Sequence, residues 1–146
     1  DLQMPWARFR GAIFEGSAFV DSNMTGATLA GERLVGVDIE RLQLGGAKLQ
    51  GATLMNVKAQ EVNFKRANCT GADFSHSVLT ISDFSGADAR RALFTASALS
   101  GSSFAGATIR DADFTDCKGL EKADFSRAIG KPKACISCNL PSQFMP

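Results

Sequence analysis

The most reactive side chains lie late in the chain. Cys135 and Cys138 form a C-x-x-C pair, Cys117 precedes them, and Cys69 stands alone. A C-x-x-C pair is the pattern of a redox dithiol, of half a zinc site or of a local disulfide. A redox dithiol opens a helix beside a parallel sheet, and nothing around residues 135–138 has that character. Zinc takes four ligands, and Cys117 brings the set to three. The clustering leads us to expect a structural disulfide between two of Cys117, Cys135 and Cys138, with a minor redox role for Cys135 and Cys138 as an alternative. Cys69 is expected to be a buried thiol that packs as a small hydrophobe. His76, the sole histidine, lies between Ser75 and Ser77, a sequence that suggests a nucleophile and its base. Adjacent residues on a coiled strand point away from one another, and no acidic residue stands at a spacing that completes a triad. His76 is therefore expected at a solvated corner. We expect no catalytic residues, no metal site and no cofactor.

The element that positions these residues is a repeat. From Phe9 to Phe114 an apolar residue returns at every fifth position for 22 consecutive steps, with Ala or Ser two residues before it in 17 of the 22 and Gly two residues after it in 11. A period of five matches neither the helical 3.6 nor the strand 2.0, so the chain must turn with its own repeat. The small companion leaves no spare volume beside an apolar centre in a narrow coil. The exceptions, Glu32, Val37, Leu42, Val57 and Val62, are expected to distort it locally. For Glu32 a widened coil is favoured over a partner such as Arg33 or a backbone donor.

This pattern resembles the pentapeptide-repeat family, whose motif A-(D/N)-(L/F)-x-x is carried in its first two letters by Ala67-Asn68-Cys69, Ala72-Asp73-Phe74, Ala87-Asp88-Ala89, Ala112-Asp113-Phe114 and Ala123-Asp124-Phe125. The resemblance implies an all-β fold, a right-handed quadrilateral β-helix with four pentads to each coil. Residues 20 apart then share a column, and the core columns are marked by Phe14, Phe64, Phe74, Phe84, Phe94, Phe104 and Phe114. Residues 1–6 are expected to form an N-terminal cap with Trp6 as its lid, 7–127 the repeat, and 128–146 a C-terminal cap, irregular or with a short helix between Pro132 and Pro141. The frame breaks at 117–122, where one residue is inserted and Gly119 is placed to absorb the bulge.

A solenoid of this kind is a rigid surface, so function is sought on its faces. The net charge of +1 gives no general argument for nucleic acid or an anionic membrane as partner. Sorted by face, however, one side carries Arg8, Arg10, Lys48, Arg90, Arg91 and Arg110 against Asp88 and Asp111. Its neighbour carries Glu15, Glu32, Asp73, Asp113 and Asp116 against Arg33. The expected role is a non-catalytic scaffold or protein-interaction module using the basic face. The partner is expected to be another protein, with no small-molecule substrate, no direct nucleic-acid binding and no transmembrane segment. The family resemblance also offers a DNA-mimicking inhibitor of a type II topoisomerase, which the 12 acidic and 11 basic residues of 7–116 argue against. The cysteine-bearing tail resembles those of cyanobacterial and chloroplast thylakoid-lumen members, implying a thylakoid-lumen or periplasmic location, with the cytoplasm as alternative.

Overall fold

The computed structural model describes residues 2–145. Its defining feature is local: two residues after each centre the backbone is left-handed, with φ of 70° at Gly11 and 73° at Gly31, and likewise 55° at Arg41, 59° at His76 and 61° at Ile81. A positive φ at that position turns the chain back, and the reversal is closed by bonds such as Ala12 N–H to Phe9 O at 2.8 Å and Ala72 N–H to Cys69 O at 2.9 Å. Four such corners complete one circuit, because parallel bridges join residues 20 apart, as in Arg8 to Thr28, Thr53 to Asp73 and Leu93 to Asp113. The segments between corners are so short that each bridge is a single residue pair. The fold is thus a stack of turns and isolated parallel bridges with no extended strand among the described residues, a sparser β-structure than a conventional sheet.

Six coils can be counted as residues 2–21, 22–41, 42–61, 62–81, 82–101 and 102–122, followed by a partial seventh at 123–137. We name the four sides by their centres in the first circuit: face A (Phe9), face B (Phe14), face C (Phe19) and face D (Met4). The repeat begins earlier than its sequence signature. Gln3 bridges Asn23, Met4 N–H donates to Asn23 O at 2.8 Å, and Met4 stands in the column of Met24, so residues 2–6 are a pentad rather than a separate cap. Trp6 is a corner residue, 73% exposed, and not a lid. Its ring lies against Gly26, where any Cβ would collide with it.

Burial of aromatic rings organises the interior. On face D, Phe64, Phe84, Phe104 and Phe125 stack with centroids 4.5, 4.9 and 5.0 Å apart. On the opposite face B, Phe74, Phe94 and Phe114 stack at 5.2 and 5.0 Å. The two stacks meet across the axis edge to face, for example Phe74 to Phe84 at 5.6 Å and 86°, which is the arrangement that the ring quadrupole favours. Small residues, Cys69 and Ala89, take the face A centres beside these rings, both fully buried. Phe14 shares the face B column but is separated from Phe74 by Leu34 and Leu54, and it instead contacts Phe9 and Phe19 at 5.5 and 5.7 Å.

The small companion positions have a polar role that the sequence did not announce. Ser77 Oγ donates to Leu54 O at 2.8 Å and accepts Val57 N–H at 3.2 Å. Ser82 does the same for Ala59 O and Val62 N–H, and Ser97 for Phe74 O and Ser77 N–H. At these corners the turn is open, and a hydroxyl from the next coil bridges its two ends. The open corners at Val57 and Val62 fit the expected distortion, but Ser77 has the same open corner, while Val37 and Leu42 keep closed turns with N–H bonds to Leu34 O and Ile39 O. The Asp or Asn before each centre caps the residue after it: Asp73 accepts Ser75 N–H at 2.9 Å and Asp113 accepts Thr115 N–H at 2.9 Å. Glu32 has a backbone donor, accepting Gly11 N–H at 3.0 Å, and the first two coils also part beside it, as the widened coil requires. Above it the ladder is interrupted: among the described residues Ile13 forms no bridge to Arg33.

At the sixth coil Gly119, with φ 80°, lies so close to Ser100 that a Cβ would stand 2.8 Å from its backbone, and Leu120 one residue later fills the interior. The inserted residue is absorbed there, and the register becomes 21, as in Thr108 to Ile129 and Asp113 to Ala134. Coiling therefore continues through 128–137, which the sequence assigned to the cap. The cap proper begins at 138, and its short helix is Ser142–Phe144, after Pro141 rather than between the prolines. Leu140 and Phe144 close the core, with the Phe144 ring 5.9 Å from Phe125.

Phe94 has ring neighbours in both stacks, so Phe94→Ala should cost about 3–5 kcal/mol, measured by urea unfolding. Ser77→Ala removes the bridge from an open, buried corner and should cost about 1–3 kcal/mol in the same assay, whereas Ser126→Ala on the surface should change little.

Candidate functional site

Face A places its outward residues in two columns on either side of the buried centres, because residues two apart on a short extended segment point the same way. One column runs Arg8, Thr28, Lys48, Asn68, Asp88, Thr108 and Ile129 along the bridges. The other holds Arg10, Arg90 and Arg110. The six cations expected on this face do not converge. Arg8 and Arg10 line a groove of about 270 Å³ with Thr28, Ala30 and Glu32 near one end, and Lys48 stands by itself. Arg90, Arg91 and Arg110 line a groove of about 310 Å³ with Thr70 and Asp111 towards the other end.

Within that lower group the cations are unequal. Arg90 grips Asp88 with both ends of its guanidinium, Nε to Oδ1 at 2.8 Å and Nη2 to Oδ2 at 2.6 Å. This bond holds the Asp88 carboxyl below the ordinary carboxylate range, against the opposing effect of partial burial. Arg90 is thereby charge-compensated. Arg91, on a left-handed corner, and Arg110 have no carboxylate within ion-pair distance among the described residues. Asp111 N–H donates to Lys131 O at 2.9 Å, which sets Lys131 one coil beyond Arg110. Sequence reasoning missed Lys131 because the inserted residue moved it out of the 20-residue count. It also missed the Arg90–Asp88 pair, although their spacing of two on one face was a sufficient signal.

The acidic face B is less free than its composition suggests. Asp73, Asp113 and Glu32 are spent on backbone N–H groups. Glu15 and Arg33 share a cleft of about 230 Å³ with Val35. His76 is an exposed corner residue, while Ser77 turns its hydroxyl inward to Leu54.

Of the cysteines, Cys135 and Cys138 are at disulfide distance, with Cα atoms 5.4 Å apart. Between them Ile136 and Ser137 form a turn, Ser137 with φ 53°, and no helix begins there. Cys117 occupies a companion position, where serine stands at 77 and 97, and its thiol donates to Phe94 O at 2.9 Å. Burial pushes its pKa up to about 12 and raises that of Cys69 also. Both thiols are thus protonated and unreactive at neutral pH. Among the described residues no cluster of three metal-ligating side chains occurs.

The model for pentapeptide repeats matches eight copies over residues 6–41, 40–75, 60–95 and 82–118. The chain belongs to the pentapeptide-repeat family. Similar solved structures include the pentapeptide-repeat protein Rfr23 of the cyanobacterium Cyanothece 51142, 19% identical over 75% of this chain and 90% of that one, with a TM-score of 0.45. A pentapeptide-repeat protein of the Arabidopsis thaliana thylakoid lumen is 29% identical over 68% of this chain and 66% of its own, with a TM-score of 0.30. QnrB1, a plasmid-mediated fluoroquinolone resistance protein, is 15% identical over 99% of this chain and 86% of its own, with a TM-score of 0.44. No curated protein sequence matches the chain. No helix of the described residues is long and apolar enough to cross a membrane.

Two measurements follow from this pentapeptide-repeat surface and tail. Alkylation of the unfolded, unreduced protein should modify two thiols, Cys69 and Cys117; a count of four would mean that Cys135 and Cys138 are not joined. Because the folded Asp88 carboxyl titrates below its unfolded value, its stabilisation is present above the unfolded pKa of about 4 and is lost as pH falls further. Asp88→Asn should flatten the acid limb of a plot of unfolding midpoint against pH.

Proposed function

We propose that this protein is a non-catalytic scaffold whose basic face A, centred on Arg91 and Arg110, binds an acidic surface of another protein. The tower underneath is a right-handed quadrilateral β-helix. One observation carries the reading: among the described residues Arg90, Arg91 and Arg110 converge on one groove that holds a single carboxylate, Asp111, and of the three only Arg90 is tied up in an ion pair, with Asp88. Among the described residues the buried centres are apolar and Ser77 and Ser97 spend their hydroxyls on backbone groups, which turns attention to the faces. A rod that mimics DNA would present its carboxylates freely, whereas Asp73, Asp83, Asp88 and Asp113 are engaged with backbone or cationic partners. An oxidising compartment, lumenal or periplasmic, suits the Cys135–Cys138 pair.

Attraction of this kind weakens as salt shortens the screening length from about 10 Å at 0.1 M to about 3 Å at 1 M. Affinity capture from the source cell should retain a partner at low salt with the wild-type protein and with Asp116→Lys, and lose it with Arg91→Glu/Arg110→Glu. Unchanged capture by the double variant, with its thermal unfolding intact, would remove face A from consideration.

A further inference from the structure

Exposed apolar side chains occur higher in the tower, as at Ile13 and Ile81, but the last coil sets two of them among unpaired cations. In the outward column of face A, positions Thr28, Lys48, Asn68, Asp88 and Thr108 are polar, and the next is Ile129, 58% exposed. On face B the column Glu15, Val35, Met55, Ser75, Thr95 and Thr115 ends in Ile136, 67% exposed, whose carbonyl accepts Asp116 N–H. Arg127, Lys131 and Lys133 interleave with these isoleucines around the same rim, all exposed and all without a carboxylate partner among the described residues. The rim is held rigid from behind by Leu140 and Phe144 in the core and by the Cys135–Cys138 pair.

We propose that this C-terminal rim, formed by Arg127, Ile129, Lys131, Lys133 and Ile136, docks on an anionic lipid bilayer. Residues 117–145 carry five cations against Glu121 and Asp124, so a second copy placed end to end would set like charge against like charge. The isoleucines stand on adjoining faces A and B of the last coil, and no groove for a partner's side chain is lined by either among the described residues. Exposed apolar tips among unpaired cations suit a bilayer interface, where the tips enter the headgroup boundary while lysine heads stay among the lipid phosphates. Basic residues near an anionic surface and apolar residues within it contribute together, and neither alone gives firm attachment. This site uses residues that the face A reading does not require.

The test is co-sedimentation of the purified full chain with vesicles of phosphatidylcholine alone and of phosphatidylcholine with about 30% phosphatidylglycerol. The protein should pellet with the anionic vesicles, and raising salt from about 0.1 M to about 0.5 M should release it. Lys131→Glu/Lys133→Glu should weaken the partition about tenfold or more, and Ile129→Ser/Ile136→Ser should weaken it at constant vesicle charge. Arg8→Glu/Arg10→Glu, at the far end of the tower, should leave it unchanged, with thermal unfolding confirming that each variant is folded. Absence of pelleting overturns the proposal, as does equal binding to neutral vesicles or indifference to both rim variants. A dimer in sedimentation equilibrium that needs Ile129 and Ile136 also overturns it, in favour of a second copy as occupant.

Discussion

The whole molecule depends on one backbone constraint, a left-handed residue at each fifth position. It turns the chain through a corner, and four corners bring residues 20 apart into register. Glycine meets the requirement without strain, yet Arg41, His76, Ile81 and Arg91 adopt it too. For a β-branched residue such as Ile81 that conformation is costly. The neighbouring coils must therefore over-determine it: Ile81 N–H is tied to Ser100 O, and the centre Leu79 is buried. Stability in this fold runs from stacked centres to corners, and local preference comes second.

That hierarchy explains what was legible. The apolar centres recur without a polar interruption, so the frame and the position of Gly119 at its break could be read directly, and the column of each phenylalanine followed once the family resemblance supplied four pentads to a coil. The first pentad was not legible because Trp6 stands at the corner, where Gly is the commonest residue of the repeat, although Met4 keeps the centre. The seventh coil was hidden by the one-residue shift and by Gly130 at a centre position, where a side chain would crowd Arg110. In both places the backbone bonds continue after the sequence signature has faded.

The candidate surface was legible in composition and not in pairing. Counting charges on each face identified the basic side, but the count treats Arg90 and Arg91 alike. The geometry separates them, because Arg90 lies two residues from Asp88 on one flat segment while Arg91 occupies the corner. The same holds for the acidic side, where an aspartate before a centre is an element of turn structure before it is a surface charge. The serines are the converse case, small by sequence and hydrogen-bonding by structure.

The two ring stacks occupy only part of the tower's length. From Phe64 to Phe125 each ring leans on rings in the adjoining half-turns, so distortion of one coil is felt in its neighbours. Above Phe64 the opposing columns are filled by Met24, Leu44, Leu34 and Leu54, and the ladder has its gap at Ile13. The solenoid is therefore mechanically graded, with a stiff segment near the C-terminal end and a more compliant one near the start. Force or heat should unzip it in a fixed direction, from the first coil downward, and a partner that grips the stiff segment would hold a platform that stays shaped while the other end frays.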